Sequence, residues 1–139
     1  MNFEDINYLA VIVAAIAAFM LGALWYTALF GKIWQKELGF SDEDLQDSNM
    51  TKIFGTSFIM MLIMAFGMGM LLQGHSGHES ELTMLVGLKH GLMIGVLFVG
   101  TSQAINYLYQ RKSFKLWIID ATYQILFLGI MGAILGVWH

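Results

Sequence analysis

The sequence predicts an all-α fold: an integral membrane bundle of four transmembrane helices, with both termini on the extracytoplasmic side. Its four apolar stretches each match the roughly 20 residues that cross the hydrocarbon core of a bilayer. Hydrophobic residues make up 58% of the chain and charged residues only 12%, against about 25% charged in a soluble domain. We therefore expect one transmembrane domain, 1–139, with helices at about 6–30, 53–73, 84–109 and 116–138.

The distribution of Lys and Arg predicts the orientation of this bundle, because short cytoplasmic loops carry an excess of both. The amino terminus, the second loop and the carboxyl terminus hold none, and Lys89 lies just inside helix 3. Loops one and three are therefore expected in the cytoplasm. They carry the remaining cations, Lys32, Lys36, Lys52, Arg111, Lys112 and Lys115.

Small residues and polar caps give the expected helix starts and contacts. Ser41 predicts a short amphipathic helix in loop one, and Ser48 or Asn49 is expected to cap helix 2. Stripes of small residues let bilayer helices approach closely, so a parallel crossing between helices 1 and 3 is available, as is a homo-oligomer. The stripes are Ala10, Ala14, Ala18 and Gly22 of helix 1, Gly87, Gly91 and Gly95 of helix 3, and Gly129, Gly132 and Gly136 of helix 4.

Polar residues gather at the cytoplasmic end of all four helices, and Asp120 is the only acid within a predicted helix. An intramembrane acid is costly and usually faces the bundle interior or a wet cavity, where it meets hydrogen-bond donors. We expect Tyr26, Gln103 and Asn106 to be those donors. The candidate ligand-binding cluster comprises Trp25, Tyr26, Gln103, Asn106, Asp120 and Gln124, with Thr27, Thr56, Ser57 and Tyr123 in the same layer.

Two interpretations of this cluster are open. It is either a structural set of hydrogen bonds that clamps the inner ends of the helices, or a cytoplasm-open pocket that binds a small ligand, a proton or a cation. A wet pocket around Asp120 favours binding, and a dry hydrogen-bonded knot favours the clamp.

Two patterns raise the question of metal binding. His75 and His78 lie in a Gly- and Ser-rich loop near Glu79 and Glu81, and Met60, Met64 and Met68 share one helix face. Thioethers suit Cu(I), but Met is also an ordinary packing residue. Copper or other soft-metal handling is thus a minor alternative, and no metal site or cofactor is predicted.

The sequence gives no positive signal for catalysis or for nucleic acid. It has no nucleophile elbow, no H-E-x-x-H, no phosphate-binding loop and no pair of facing carboxylates. Cysteine is absent and the net charge is −3, so the chain has no thiolate nucleophile and no basic footprint for nucleic acid. We expect a protein that is not an enzyme and has no nucleic-acid partner.

Four segments resemble a family of bacterial membrane proteins catalogued as domain of unknown function 1761. They read LGALWYTALFGKIW at Leu21–Trp34, KIFGTSF at Lys52–Phe58, AINYLYQRKSFKLW at Ala104–Trp117 and DATYQ…MGAILGVW at Asp120–Trp138. The resemblance implies a four-helix bundle in a bacterial inner membrane, and it implies no activity.

The leading hypothesis is a multi-pass membrane module that binds or translocates a small ligand, proton or ion through the cytoplasm-facing cluster. The alternative is a structural or accessory subunit that binds partner proteins through its glycine-stripe helix faces. Its expected surroundings are the lipid bilayer and further copies of itself.

Overall fold

The computed structural model describes residues 3–75 and 81–139, and these residues form helices and turns with no strand among them. Four of the helices are long and apolar enough, by length and composition, to cross a membrane. This confirms the predicted all-α bundle, and the spans begin and end within a few residues of the predicted limits. We call them span 1 (Tyr8–Leu29), span 2 (Met50–Gly74), span 3 (Met84–Tyr109) and span 4 (Phe114–Val137).

A polar side chain caps the start of each span by accepting a hydrogen bond from a backbone N–H that the helix leaves unpaired. Asn7 accepts from Ala10 N at 3.0 Å and Thr83 from Val86 N at 3.3 Å. Ser113 accepts from Leu116 N at 3.1 Å. For span 2 the cap is Asn49, one of the two predicted candidates, which accepts from the N–H of Lys52 at 3.1 Å.

Two short helices, Gly31–Leu38 and Asp42–Asp47, fill the first loop. Gly39 separates them in the left-handed conformation, with φ at 72°. The second helix is the one predicted at Ser41, whose hydroxyl accepts from the N–H of Asp44 while the Asp44 carboxylate accepts from the Ser41 N–H. These hydrogen bonds from Ser41 hold the pKa of Asp44 below its usual value. Loops one and three lie together, since Lys115 pairs with Glu37 at 3.9 Å.

Span 4 forms the centre of the bundle. Over half of its most apolar 18-residue stretch is buried, against a third or less of the corresponding stretch in each of the other spans. It packs mainly against spans 3 and 1, and span 1 also packs against span 2. Spans 2 and 3 are consequently the most exposed, and a groove separates span 2 from the pair formed by spans 3 and 4.

The glycine stripe of span 3 packs against span 4, and not against span 1 as the parallel crossing required. A Cβ atom on Gly91 would lie 2.6 Å from the carbonyl carbon of Leu128, and one on Gly87 would lie 2.7 Å from that of Gly132. A Cβ on Gly95 would lie 2.8 Å from the Cα atom of Ile125. The two backbones are therefore in contact along an antiparallel crossing that only glycine permits.

The small-residue stripe of span 1 receives an aromatic ring of span 4. Ala14 and Ala18 are fully buried. A Cβ on Gly22 would lie 2.6 Å from the Tyr123 hydroxyl oxygen. Because a large ring fills the space that the small residues leave, this stripe has no room for span 3.

Two spans contain a π-helical segment, at Trp25–Leu29 in span 1 and Gly95–Gly100 in span 3. Such segments insert an extra residue into an α-helix and often occur at functional sites. The chain has no proline, so the usual sequence signal for an irregular helix is missing here. The first segment carries Trp25 and Tyr26, which places it in the polar cluster.

Candidate functional site

The candidate site is built around Asp120, the one charged side chain that is buried among the described residues. Asp120 lies in the second turn of span 4 and is only 7% exposed. Its position on the buried face of the central span turns it toward spans 1 and 3. The predicted inward orientation is therefore confirmed.

Two tyrosine hydroxyls hold the Asp120 carboxylate. Tyr26 of span 1 donates to Oδ1 at 2.5 Å, and Tyr107 of span 3 donates to Oδ2 at 2.5 Å. Each carboxylate oxygen thus accepts a hydrogen bond from a different span, and three of the four spans meet at one side chain. Hydrogen bonds to an ionised acceptor are among the stronger ones in proteins.

The prediction that Asn106 and Gln103 donate to Asp120 is wrong, and the π-helical segment of span 3 explains why. Gly95 faces span 4, and eleven residues are about three α-helical turns, so in a regular helix Asn106 would share that face. The extra residue within Gly95–Gly100 shifts the following helix by one position. Tyr107 consequently faces Asp120, and Asn106 is exposed.

Gln103 lies one turn before Tyr107, and its side-chain oxygen Oε1 is buried with no hydrogen-bond partner among the described residues. Unsatisfied buried polar atoms are uncommon in native structures. Gln124, one turn beyond Asp120, is half-buried and lines the groove beside span 2.

Aromatic side chains enclose the carboxylate on the side of span 1. The Trp25 indole Nε1 donates to the carbonyl oxygen of Ile119 at 3.1 Å, so consecutive residues of span 1 hold consecutive residues of span 4. The Tyr26 ring packs edge-on against Tyr123 at 5.2 Å, and the Tyr123 hydroxyl donates to Ala18 O at 3.1 Å. Trp25 is 7% exposed and Tyr123 6% exposed, so little water reaches this side of the cluster.

Glycine at position 31 allows this arrangement. The chain leaves the π-helical segment at Phe30 and turns into the first loop helix, and a Cβ on Gly31 would collide with the carbonyl oxygen of Tyr26. A larger residue would push the Tyr26 backbone away. This close approach explains why the segment FGKIW, at Phe30–Trp34, has glycine at its second position.

The remaining predicted polar residues lie outside the carboxylate's hydrogen-bond network. Ser57 and Thr56 line the groove along span 2. Thr27 is exposed, and its hydroxyl donates to Ala23 O of its own helix at 2.5 Å. The cluster predicted from the sequence is thus divided into a closed centre at Asp120 and a polar wall on the groove.

No group of three or more His, Asp or Glu side chains that could hold a metal ion occurs within residues 3–75 and 81–139. His78 and the side chain of His75 lie outside the described residues, so that hypothesis is not addressed by the structure. Met60 and Met64 line the groove. Met68 is 3% exposed and lines the part of the groove beyond Met64. The methionine face is therefore a groove wall of span 2.

The electrostatics at Asp120 set its chemistry. Among the described residues the only ion pair joins Lys115 and Glu37, so no Lys, Arg or His side chain of this part of the chain neutralises Asp120. Two neutral hydroxyls stabilise a carboxylate without cancelling its charge. Such a group can take up a proton and keep both hydrogen bonds, since a protonated carboxyl still accepts at its oxygens.

The fold and the site define a class of protein: a small all-α bundle of four membrane-span helices with an aromatic-walled carboxylate inside it. A family described as a protein of unknown function (DUF1761) matches residues 9–136, and the chain belongs to this family. No curated protein and no solved structure matches the chain.

Proposed function

We propose that this protein binds a proton at Asp120, inside the membrane, and that this protonation is the basis of its function. The observation that carries the proposal is a buried carboxylate, held by two hydroxyls, that no cation among the described residues neutralises. A charge in this position is costly in a bilayer, and intramembrane acids commonly belong to proton or ion pathways.

The geometry favours a proton over a larger ligand. Both carboxylate oxygens already accept a hydrogen bond, and the ring of Tyr123 packs against Tyr26 beside them. Asp120 lines neither stretch of the groove beside span 2. A proton is the one ligand that adds to this site without displacing a side chain.

A structural clamp is the second candidate. The absence of Asp120 from the groove lining argues against a larger ligand, and it fits a clamp as well as it fits proton binding. One side chain ties spans 1, 3 and 4 in a dry, hydrogen-bonded knot. A purely structural protein would use these bonds to fix the bundle for partner proteins. Such partners would need faces other than the glycine stripes, because spans 1, 3 and 4 already cover those stripes within the chain.

The two candidates differ in what Asp120→Asn does, because the amide keeps the shape of the carboxyl but cannot titrate. Asp120 is the only acid in the four spans, so an infrared titration of the reconstituted protein can assign a buried carboxyl band to it. Proton binding predicts a band that grows as pH falls and is missing in Asp120→Asn, while Asp47→Asn, on the exposed second loop helix, keeps it. A spectrum unchanged by Asp120→Asn, with wild-type stability, would leave only the clamp.

The proposal includes the setting of the protein. We place it as a multi-pass, homo-oligomeric protein of the bacterial inner membrane, with loops one and three in the cytoplasm. The six cations of these loops support the orientation. The exposed apolar faces of spans 2 and 3 support contact with lipid and with further copies.

A further inference from the structure

The groove beside span 2 is a second feature of the molecule, separate from the carboxylate. One stretch of about 750 Å³ lies between span 2 and the Tyr123, Gln124 and Phe127 side chains of span 4. A second stretch of about 380 Å³ continues between span 2 and residues of spans 3 and 4. Met64 lines both stretches, so they form one path along span 2.

The polarity of this groove changes along its length. The end of the groove that lies at the start of span 2 carries Asn49, Lys52, Thr56 and Ser57, with Gln124 opposite. Beyond Met64 the lining is entirely apolar. Lys52 is exposed and is the one cation of the lining, and it takes no part in the only ion pair described for residues 3–75 and 81–139.

We infer that this groove binds a long-chain anionic amphiphile with a single tail, such as a fatty carboxylate, with its head at Lys52 and its tail along the methionines. A positive charge at the polar end complements an anionic head. Methionine side chains are flexible and polarisable, so they adapt to a bent acyl chain. From Lys52 to Gly67 the helix rises about 22 Å, which exceeds half of the roughly 30 Å hydrocarbon core.

Glycine at position 67 allows a test of the tail path. Gly67 lines the second, apolar stretch of the groove, and a Cβ on it would meet nothing within 4 Å. Gly67→Leu therefore fills the groove without a clash. Gly55 offers a matched control on the same span, since it too has open space at its Cβ but does not line the groove.

The experiment is native mass spectrometry of the full chain in a neutral detergent, titrated with oleate, octanoate or uncharged oleyl alcohol. We expect one oleate per chain. Lys52→Gln should weaken oleate about fivefold, the effect of one lysine near an anionic head, and leave oleyl alcohol unchanged. Lys36→Gln, on the first loop helix away from the groove, should match the wild type.

The tail variants complete the test. Gly67→Leu should weaken oleate and leave octanoate unchanged, while Gly55→Leu changes neither. Oleate that binds in several equivalent copies, or that ignores both Lys52→Gln and Gly67→Leu, would overturn the inference. So would a dimer that Gly67→Leu dissociates while oleate binding persists. Lys52→Gln changes an exposed side chain, so it still tests whether the Lys52 charge contributes to oleate binding if Gly67→Leu folds poorly.

Discussion

The Tyr107 hydroxyl of span 3 donates a 2.5 Å hydrogen bond to Oδ2 of Asp120 in span 4, across the turn that joins these two spans. The π-helical segment Gly95–Gly100 turns Tyr107, rather than its neighbour Asn106, toward that carboxylate. A helical irregularity more than one turn away thus decides which side chain completes the site.

We expect Tyr107→Phe to destabilise the protein by about 1.5–3 kcal/mol, because it removes a hydrogen bond to a charged acceptor and leaves that acceptor partly unsatisfied. Asn106→Ala, at the exposed neighbouring position, should change the free energy of unfolding by less than about 0.5 kcal/mol. Reversible unfolding in mixed micelles measures both. The reverse order of the two effects would show that Asn106, and not Tyr107, faces Asp120.

The crossing of spans 3 and 4 gives a second prediction. Gly91→Ala and Gly87→Ala should each destabilise by about 1–3 kcal/mol, because the added Cβ meets a backbone carbonyl that cannot rotate away. Gly55→Ala, where the added methyl meets nothing within 4 Å, should be neutral or stabilising, since alanine favours helix over glycine by about 1 kcal/mol. Wild-type thermal stability of Gly91→Ala in detergent would place that face toward lipid.

Arg111 carries a third prediction, because it is the described non-glycine residue with a positive φ, at 56°. It ends span 3 in a left-handed turn, where Lys112 N donates to Tyr107 O at 3.0 Å and Arg111 N to Leu108 O at 3.2 Å. Glycine is the usual residue at this position of such a cap. Arg111→Gly should therefore raise stability by about 1 kcal/mol, and Lys112→Gly should give no gain. A thermal scan in which Arg111→Gly is the less stable of the two would contradict this.

The proposed orientation predicts where fused reporters face. A reporter attached after His139 should face the extracytoplasmic side of the membrane, and one inserted near Asp44 should face the cytoplasm. A carboxyl-terminal reporter found active in the cytoplasm would invert the bundle and place the Asp120 cluster near the opposite surface.

Much of the fold could be predicted because the bilayer limits what a chain can do. A span needs about 20 apolar residues, so Asp120 had to lie within span 4 and Asn49 had to lie near the start of span 2. An acid inside a span is costly when it faces lipid, which is why the inward orientation of Asp120 could be inferred before its partners were known.

The predicted donor from span 1, Tyr26, is confirmed, but the pairing of the spans and the donor from span 3 could not be predicted, for two physical reasons. Small residues form stripes on spans 1, 3 and 4 alike, so the spacing allows Gly91 to meet span 1 or span 4, and side-chain volume decides: the Tyr123 ring occupies the stripe at Gly22. The π-helical segments have no proline to announce them, so an assumed regular helix assigned Asn106 the position that Tyr107 holds.

The central claim is that a hydroxyl of span 1 holds the Asp120 carboxylate, and a double-mutant cycle of Tyr26→Phe and Asp120→Leu tests it most directly. The account predicts a coupling of about 0.5–3 kcal/mol in the free energy of unfolding, because the two single changes remove the same hydrogen bond. Tyr109→Phe, at a position that is 87% exposed, should add independently to Asp120→Leu. Effects of Tyr26→Phe and Asp120→Leu that simply add, within about 0.5 kcal/mol, would contradict the claim.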